Sequence, residues 1–110
     1  RGALGWMIDE EGRGVSAILE MVAMTRFDCM IGSSAIMRQS VAQITHHCQS
    51  RFAFGKVLSQ QALMQNVLAD LVLESEASTA LSMRLARSLD MSEHNEQEKN
   101  LMRIGTAIGK

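Results

Sequence analysis

Arg51-Phe52-Ala53-Phe54-Gly55-Lys56 stands at the junction of two long helical patterns, and its reading decides how the chain folds. The run holds an arginine, two of the chain's three phenylalanines and a turn glycine. As a plain corner, Gly55 ends one helix, the phenylalanines plug the elbow and Arg51 is a solvated last-turn cation. As a binding element, a guanidinium at a helix end beside an aromatic face suits a pyrophosphate that carries a flat ring system. Both readings turn the chain here, between helices.

Upstream of the corner, apolar residues recur at helical spacing from Val15 through Ile18, Leu19, Val22, Phe27, Met30, Ile31, Met37, Val41, Ile44 and Cys48. This predicts one very long helix, or two joined at a soft spot near Gly32-Ser33-Ser34, where small residues also let a neighbour approach closely. Downstream, Ser59 suits the N-cap of a second helix. Its stripe is Leu63, Met64, Val67, Leu68, Leu71, Leu81, Leu85 and Leu89, with Asp70, Glu74, Arg84 and Arg87 off it. A polar connection over 90–97 offers Ser92 or Asn95 as cap for a third helix. Leu101, Met102, Ile104, Ala107 and Ile108 carry that helix's stripe. Residues 1–13 form a glycine-punctuated lead-in, with Gly12 and Gly14 bracketing Arg13 in a turn that enters the first helix. No strand is expected beyond the lead-in. The predicted class is all-α, an up-down bundle with three helices in residues 14–110 and a fourth in the intact protein.

With 110 residues, 46% of them hydrophobic, the chain suffices for one small domain. A formal charge of -1 without a basic block argues against nucleic-acid binding by this segment itself. The sequence shows no bilayer-length apolar run and no signal-peptide pattern, so a cytoplasmic protein without a membrane partner is expected. Cys29 and Cys48 would lie about 28 Å apart along one helix, beyond disulfide reach. Proline is absent, which fits long uninterrupted helices, and nine methionines suit an adaptable core. The chain starts without methionine and stops within an amphipathic pattern, and so reads as a piece of a longer protein.

The candidate chemistry is sparse. His46, His47 and Cys48 are consecutive and point apart on a helix, so no metal site is expected. Glu74 and Glu76 diverge by about 200° and cannot work as a carboxylate pair. The sequence holds no Walker loop, Gly-x-Ser-x-Gly or Gly-x-Gly-x-x-Gly. Thr25-Arg26 lies inside the first apolar stripe, where an arginine either snorkels or answers an anionic partner or polar cavity.

Taken together, these segments resemble the C-terminal helical domain of acyl-CoA dehydrogenases over nearly the whole chain. Gly5-Trp-Met-Ile-Asp-Glu-Glu-Gly-Arg-Gly14 looks like the family's exit from its middle β domain, which assigns residues 1–13 to the end of that domain. Thr25-Arg26 is similar to the pair on the family's active-site helix. Arg51-Phe-Ala-Phe-Gly-Lys56 resembles its Arg-x-x-Phe-Gly signature, and Leu68-Ala-Asp-Leu71 its Leu-Ala-Asp-Met. Met24-Thr-Arg-Phe-Asp-Cys29, Gln60-Gln-x-Leu-Met64 and Thr79-Ala-Leu followed by Arg84-Leu-Ala-Arg87 look like the AidB-like branch, associated with the bacterial response to DNA alkylation.

The resemblance implies a FAD-dependent parent that carries out α,β-dehydrogenation of an acyl-CoA thioester as a homo-oligomer, a dimer or tetramer. Arg51 would contact the pyrophosphate of FAD, usually the neighbouring subunit's, with Phe54 packing on that cofactor and Gly55 permitting the turn. Gln61 would stand in for a glutamine that reaches the adenine end, although an ungapped match places that glutamine at Ala62. Met24, Thr25 and Arg26 would border the flavin and acyl cavity. Ala23 departs from the pattern, because many members carry there an aspartate that helps position CoA. Thr25 departs too, standing where some members place the catalytic glutamate. No catalytic base is identified in this chain, which should not turn over alone. Two other readings stand beside this one. The first is an AidB-like flavoprotein that binds or shields DNA through parts outside this chain, without significant turnover. The second is a helical interaction module without cofactor. Apolar stripes without their partner domains predict self-association, with exchanged helices as one route.

Overall fold

The computed structural model describes residues 2–109. Helix α1 spans Gly14–Ser50, helix α2 Ala62–Met91 and helix α3 Glu96–Ile108. Helix α1 runs unbroken for 37 residues, about 55 Å at 1.5 Å per residue. The Gly32-Ser33-Ser34 segment does not break it. Ser33 folds its hydroxyl back onto the Cys29 carbonyl at 2.8 Å, and the buried Ser34 hydroxyl meets that of Thr79 on α2 at 3.3 Å. The small residues therefore mark a close contact between helices.

The corner differs from expectation. Helix α1 ends at Ser50, and Arg51 follows in extended backbone, its N–H donating to the His47 carbonyl at 2.9 Å. Gly55 consequently does not end the helix. Two short strands follow, β1 at Phe52–Ala53 and β2 at Lys56–Val57, paired antiparallel with Phe52 opposite Val57 and Ala53 opposite Lys56. Strands of two residues are too short to show alternation, so periodicity could not reveal them. Ser59 falls in a short 3-10 turn over Leu58–Gln60, and Gln61, not Ser59, is the N-cap of α2. At the other end of α2 the two expected caps divide their work. Ser92 donates back to the Leu89 carbonyl at 2.7 Å, closing α2, while Asn95 opens α3 by accepting the Gln97 N–H at 2.9 Å.

With Ser50 and Ala62 joined by the corner and Ser34 meeting Thr79, α2 returns antiparallel along α1. Helix α3 packs back over both. Phe27, Met30, Leu85 and Met102 form the buried core, with Leu81, Ala86 and Leu89 packed against it. Gly105 and Gly109 let α3 close on this core. A Cβ at Gly105 would collide with the Leu85 methyls, and one at Gly109 with the Met30 sulfur. All three helices and the all-α class agree with the sequence reading.

Burial is more local than the stripes suggested. Ile18, Leu19, Leu63, Val67 and Ile104 are exposed although each lies on an apolar stripe. The radius of gyration is 21.0 Å, against about 13 Å for a compact domain of this length. Periodicity identifies an apolar face without showing what covers it. None of the described helices is long and apolar enough to cross a membrane.

Candidate functional site

The turn between β1 and β2 consists of Phe54 and Gly55, with φ of 54° and 85°. Two consecutive positive φ values are what a two-residue hairpin turn of type I′ requires, and glycine meets that demand freely. Phenylalanine does not. A bulky side chain in this region carries a strain of about 1–3 kcal/mol. Yet Phe54 is 93% exposed and Phe52 65% exposed, so neither plugs the elbow, and that part of the corner reading is corrected. Ala53 and Val57 are the half-buried residues of the two strands instead.

Local hydrogen bonds hold the hairpin. The Leu58 N–H donates to the Arg51 carbonyl at 2.9 Å, and Gln61 Nε2 donates to the Ala53 carbonyl at 3.0 Å. The Gln61 amide nitrogen thus ties the hairpin to the start of α2. Arg51 is exposed, and among the described residues its guanidinium makes no hydrogen bond or ion pair. Around Gly55 nothing lies within 4 Å of where a Cβ would sit. An unpaired guanidinium and two open aromatic faces on one short hairpin fit an anionic group that carries a flat ring system.

The second predicted set lies elsewhere. Arg26 is 25 positions before Arg51 on α1, about 38 Å away along the helix axis. Met24 and Arg26 line an open groove of about 1160 Å³ between the first half of α1 and α3, together with Leu19, Ala23, Lys99 and Arg103. Thr25 is not part of that lining; its hydroxyl donates to the Val22 carbonyl at 3.0 Å. The structure therefore brings Arg51, Phe54, Gly55 and Gln61 together, brings Met24 and Arg26 together, and keeps the two groups at opposite ends. Lys99 and Arg103 were missed in the sequence. Their spacing of four on one helix face was the available signal.

Next to the groove, α3 is fastened to α2 by an ionic cluster. Arg84 Nη1 and Nη2 donate to Glu98 Oε2 and Oε1 at 2.9 and 3.0 Å, and the fully buried Ser88 hydroxyl donates to Oε2 at 2.8 Å. These hydrogen bonds from Arg84 and then Ser88 hold the Glu98 carboxyl below its ordinary value, and the bond to Glu98 raises Arg84. Cys29 and Cys48 are free thiols, exposed and buried respectively. Among the described residues no group of three or more His, Cys, Asp or Glu gathers for a metal.

Comparison with known proteins covers most of the chain. The family described as acyl-CoA dehydrogenase, C-terminal domain, matches residues 12–107. AidB of Escherichia coli K12 is 47% identical over 88 residues, which are 80% of this chain and 16% of that protein. Acyl-CoA dehydrogenase family member 11 of Caenorhabditis elegans is 29% identical over 112 residues, 99% of this chain and 18% of that protein. Cyclohex-1-ene-1-carbonyl-CoA dehydrogenase of Geobacter metallireducens is 29% identical over 84 residues, 76% of this chain and 22% of that protein. The chain thus spans about a fifth of the length of these relatives.

Proposed function

The chain belongs to the acyl-CoA dehydrogenase family, as a C-terminal helical domain close to AidB, and from that premise we propose that it supplies part of a flavin clamp and part of an acyl-cavity wall to an intact FAD-dependent dehydrogenase. The observation that carries this reading is the corner hairpin, where a strained and exposed Phe54 stands beside an unpaired Arg51. Strain of this kind persists where function needs the side chain presented.

Arg51 would hold the pyrophosphate of FAD by charge-assisted hydrogen bonds. Phe54 would lie against a ring of the same cofactor, and Gly55 keeps that approach open. Gln61 acts by fixing the hairpin, through the bond to Ala53. Met24 and Arg26, with Thr25 behind them, would border the acyl chain and thioester in the groove. Bound FAD would accept the β hydride of an acyl thioester whose α proton is removed by a carboxylate. No residue of this chain is assigned that carboxylate's role. The two sets are too far apart to serve one cofactor from one chain, which supports a homo-oligomer in which Arg51 reaches a neighbour's FAD.

A second reading has its own support. Ala23 lines the groove where a carboxylate would help to place CoA, and the identity to AidB is high. An AidB-like flavoprotein that binds or protects DNA through other parts of the protein fits both observations.

The test uses the full-length protein, wild type and Arg51→Ala, with bound flavin read by visible absorption. A yellow wild type and a largely colourless variant are expected. Equal flavin in both would remove Arg51 from the clamp. If neither holds flavin, the dehydrogenase reading fails. Bleaching of the wild type by acyl-CoA then supports dehydrogenation, and DNA binding without bleaching supports the second reading.

A further inference from the structure

The register of the corner hairpin sorts its side chains onto two faces. Ala53 stands opposite Lys56, and Phe52 opposite Val57. Side chains alternate along a strand, so Arg51 shares a face with Ala53 and, across the ladder, with Lys56. The Leu58 N–H bond to the Arg51 carbonyl carries the ladder one pair further, which sets Leu58 opposite Arg51. Four residues therefore form a square on this face. Half-buried Ala53 and Leu58 occupy one diagonal, and exposed Arg51 and Lys56 the other. Diagonal neighbours on a ladder lie within reach of each other when their side chains are long.

Neither cation is answered within the chain. Among the described residues, the side chain of Lys56, like that of Arg51, makes no hydrogen bond or ion pair. Residues 29–69 contain no Asp or Glu, although Arg38, Arg51 and Lys56 all fall among them. The next carboxylate, Asp70, comes two turns into α2. Like charges side by side on a ladder repel each other, and this hairpin keeps two of them without a counter-charge in its own stretch. Such a face is complementary to a ligand with two linked negative charges.

We propose that Lys56 is the second cation of the corner, and that Arg51 and Lys56 hold a diphosphate together, one cation to each phosphate. This rests on the flavin clamp proposed above, which makes the diphosphate that of FAD. The planar fork of Arg51 fixes orientation, and the flexible stem of Lys56 brings a point charge to the other phosphate.

The test is FAD affinity of the flavin-stripped full-length protein, read by quenching of flavin fluorescence over a salt series. The variants are Lys56→Gln, Lys56→Arg, Arg51→Ala and Arg38→Gln. Arg38 is an exposed cation about 20 Å before Arg51 along α1, so it reports on general charge alone. Lys56→Gln should weaken FAD about tenfold, the worth of a hydrogen bond to a charged group, and should flatten the salt dependence. Lys56→Arg should restore most of the affinity, and Arg38→Gln should match the wild type. Flavin-stripped Lys56→Gln should unfold in urea no earlier than the wild type, because it loses only a repulsion. Wild-type affinity in Lys56→Gln, or an equal loss in Arg38→Gln, would overturn the second cation. Earlier unfolding would give Lys56 a part in the fold and overturn it as well. Arg51→Ala separates the two readings. If it loses FAD while Lys56→Gln keeps it, the clamp stands and the pair falls. If it keeps FAD, the clamp falls and takes the pair with it. CoA carries the other candidate diphosphate, and a loss confined to CoA would overturn the assignment to flavin.

Discussion

The two ends of α1 carry two different kinds of construction. At the corner, the constraints on Arg51 and Phe54 come from residues 47–61: the Arg51 bond to His47, the register of β1 on β2, the Leu58 bond to Arg51 and the Gln61 bond to Ala53. At the other end, Met24 and Arg26 face a groove whose far wall is a short helix held from a distance by Leu85, Arg84 and Ser88. A local turn presents its side chains without help from the core. A wall built by tertiary contact can shift. Substitutions should therefore separate the two ends.

The largest effect is expected from Leu85→Ala. Leu85 is fully buried and fills the space against Gly105, so its truncation should cost about 2–5 kcal/mol. Urea unfolding of the intact protein measures this, and hydrogen exchange should place the loss in α3. Flavin retained through the corner should persist below the unfolding transition. A Leu85→Ala protein that loses flavin and α3 protection together would show that the ends are coupled.

A smaller effect is expected from Gly55→Val, about 1–3 kcal/mol, because a β-branched residue is strained at a φ of 85°. No collision contributes, since the space beside Gly55 is open. Gly55→Asn should be much milder, as asparagine tolerates this region. If valine and asparagine behave alike in unfolding midpoint, backbone strain is not what shapes the corner.

Phe54→Asn should act in the opposite direction. Asn-Gly is the preferred pair for a two-residue turn of this type, so the variant should gain about 1 kcal/mol by losing strain. Under the clamp reading it should also hold flavin less well. Higher stability with lower flavin occupancy would be the signature of a residue kept for binding. Lower stability would mean that the exposed ring makes contacts important to the fold.

These variants also show what could be read in advance. The continuity of α1 through Gly32-Ser33-Ser34 and the choice of Asn95 over Ser92 as cap were left open by the sequence. The three helices were legible because each depends on nearby residues and a repeating period. The hairpin was not, since its strands are shorter than a period and Phe-Gly lacks the Asn-Gly turn signature. Arg51 and Phe54 could be singled out by residue type, but their exposure depends on how the turn directs them. Lys99, Arg103 and the crossing of Glu98 to α2 depend on how α3 lies over α1 and α2, which no single stripe encodes. The exposed positions of Ile18, Leu63 and Ile104 follow the same rule.

The smallest effect, and the one that tests the tertiary end most directly, is pH. Hydrogen bonds from Arg84 and Ser88 hold Glu98 below its ordinary carboxylate value. A carboxyl lowered on folding contributes in full above its unfolded value of about 4.3 and loses that contribution as pH falls through the folded value. Arg84 is raised, so its contribution is present throughout the neutral range and lost only in strong alkali. The pair is therefore constant near neutrality and fades only in acid. Wild-type protection of α3, corrected for intrinsic exchange, should fall as the pH drops below the ordinary carboxylate range and approach that of Glu98→Gln. The corner should show no such limb in this comparison. Parallel curves for wild type and Glu98→Gln through the acid range would mean that packing alone holds α3, and that the groove end is as fixed as the hairpin.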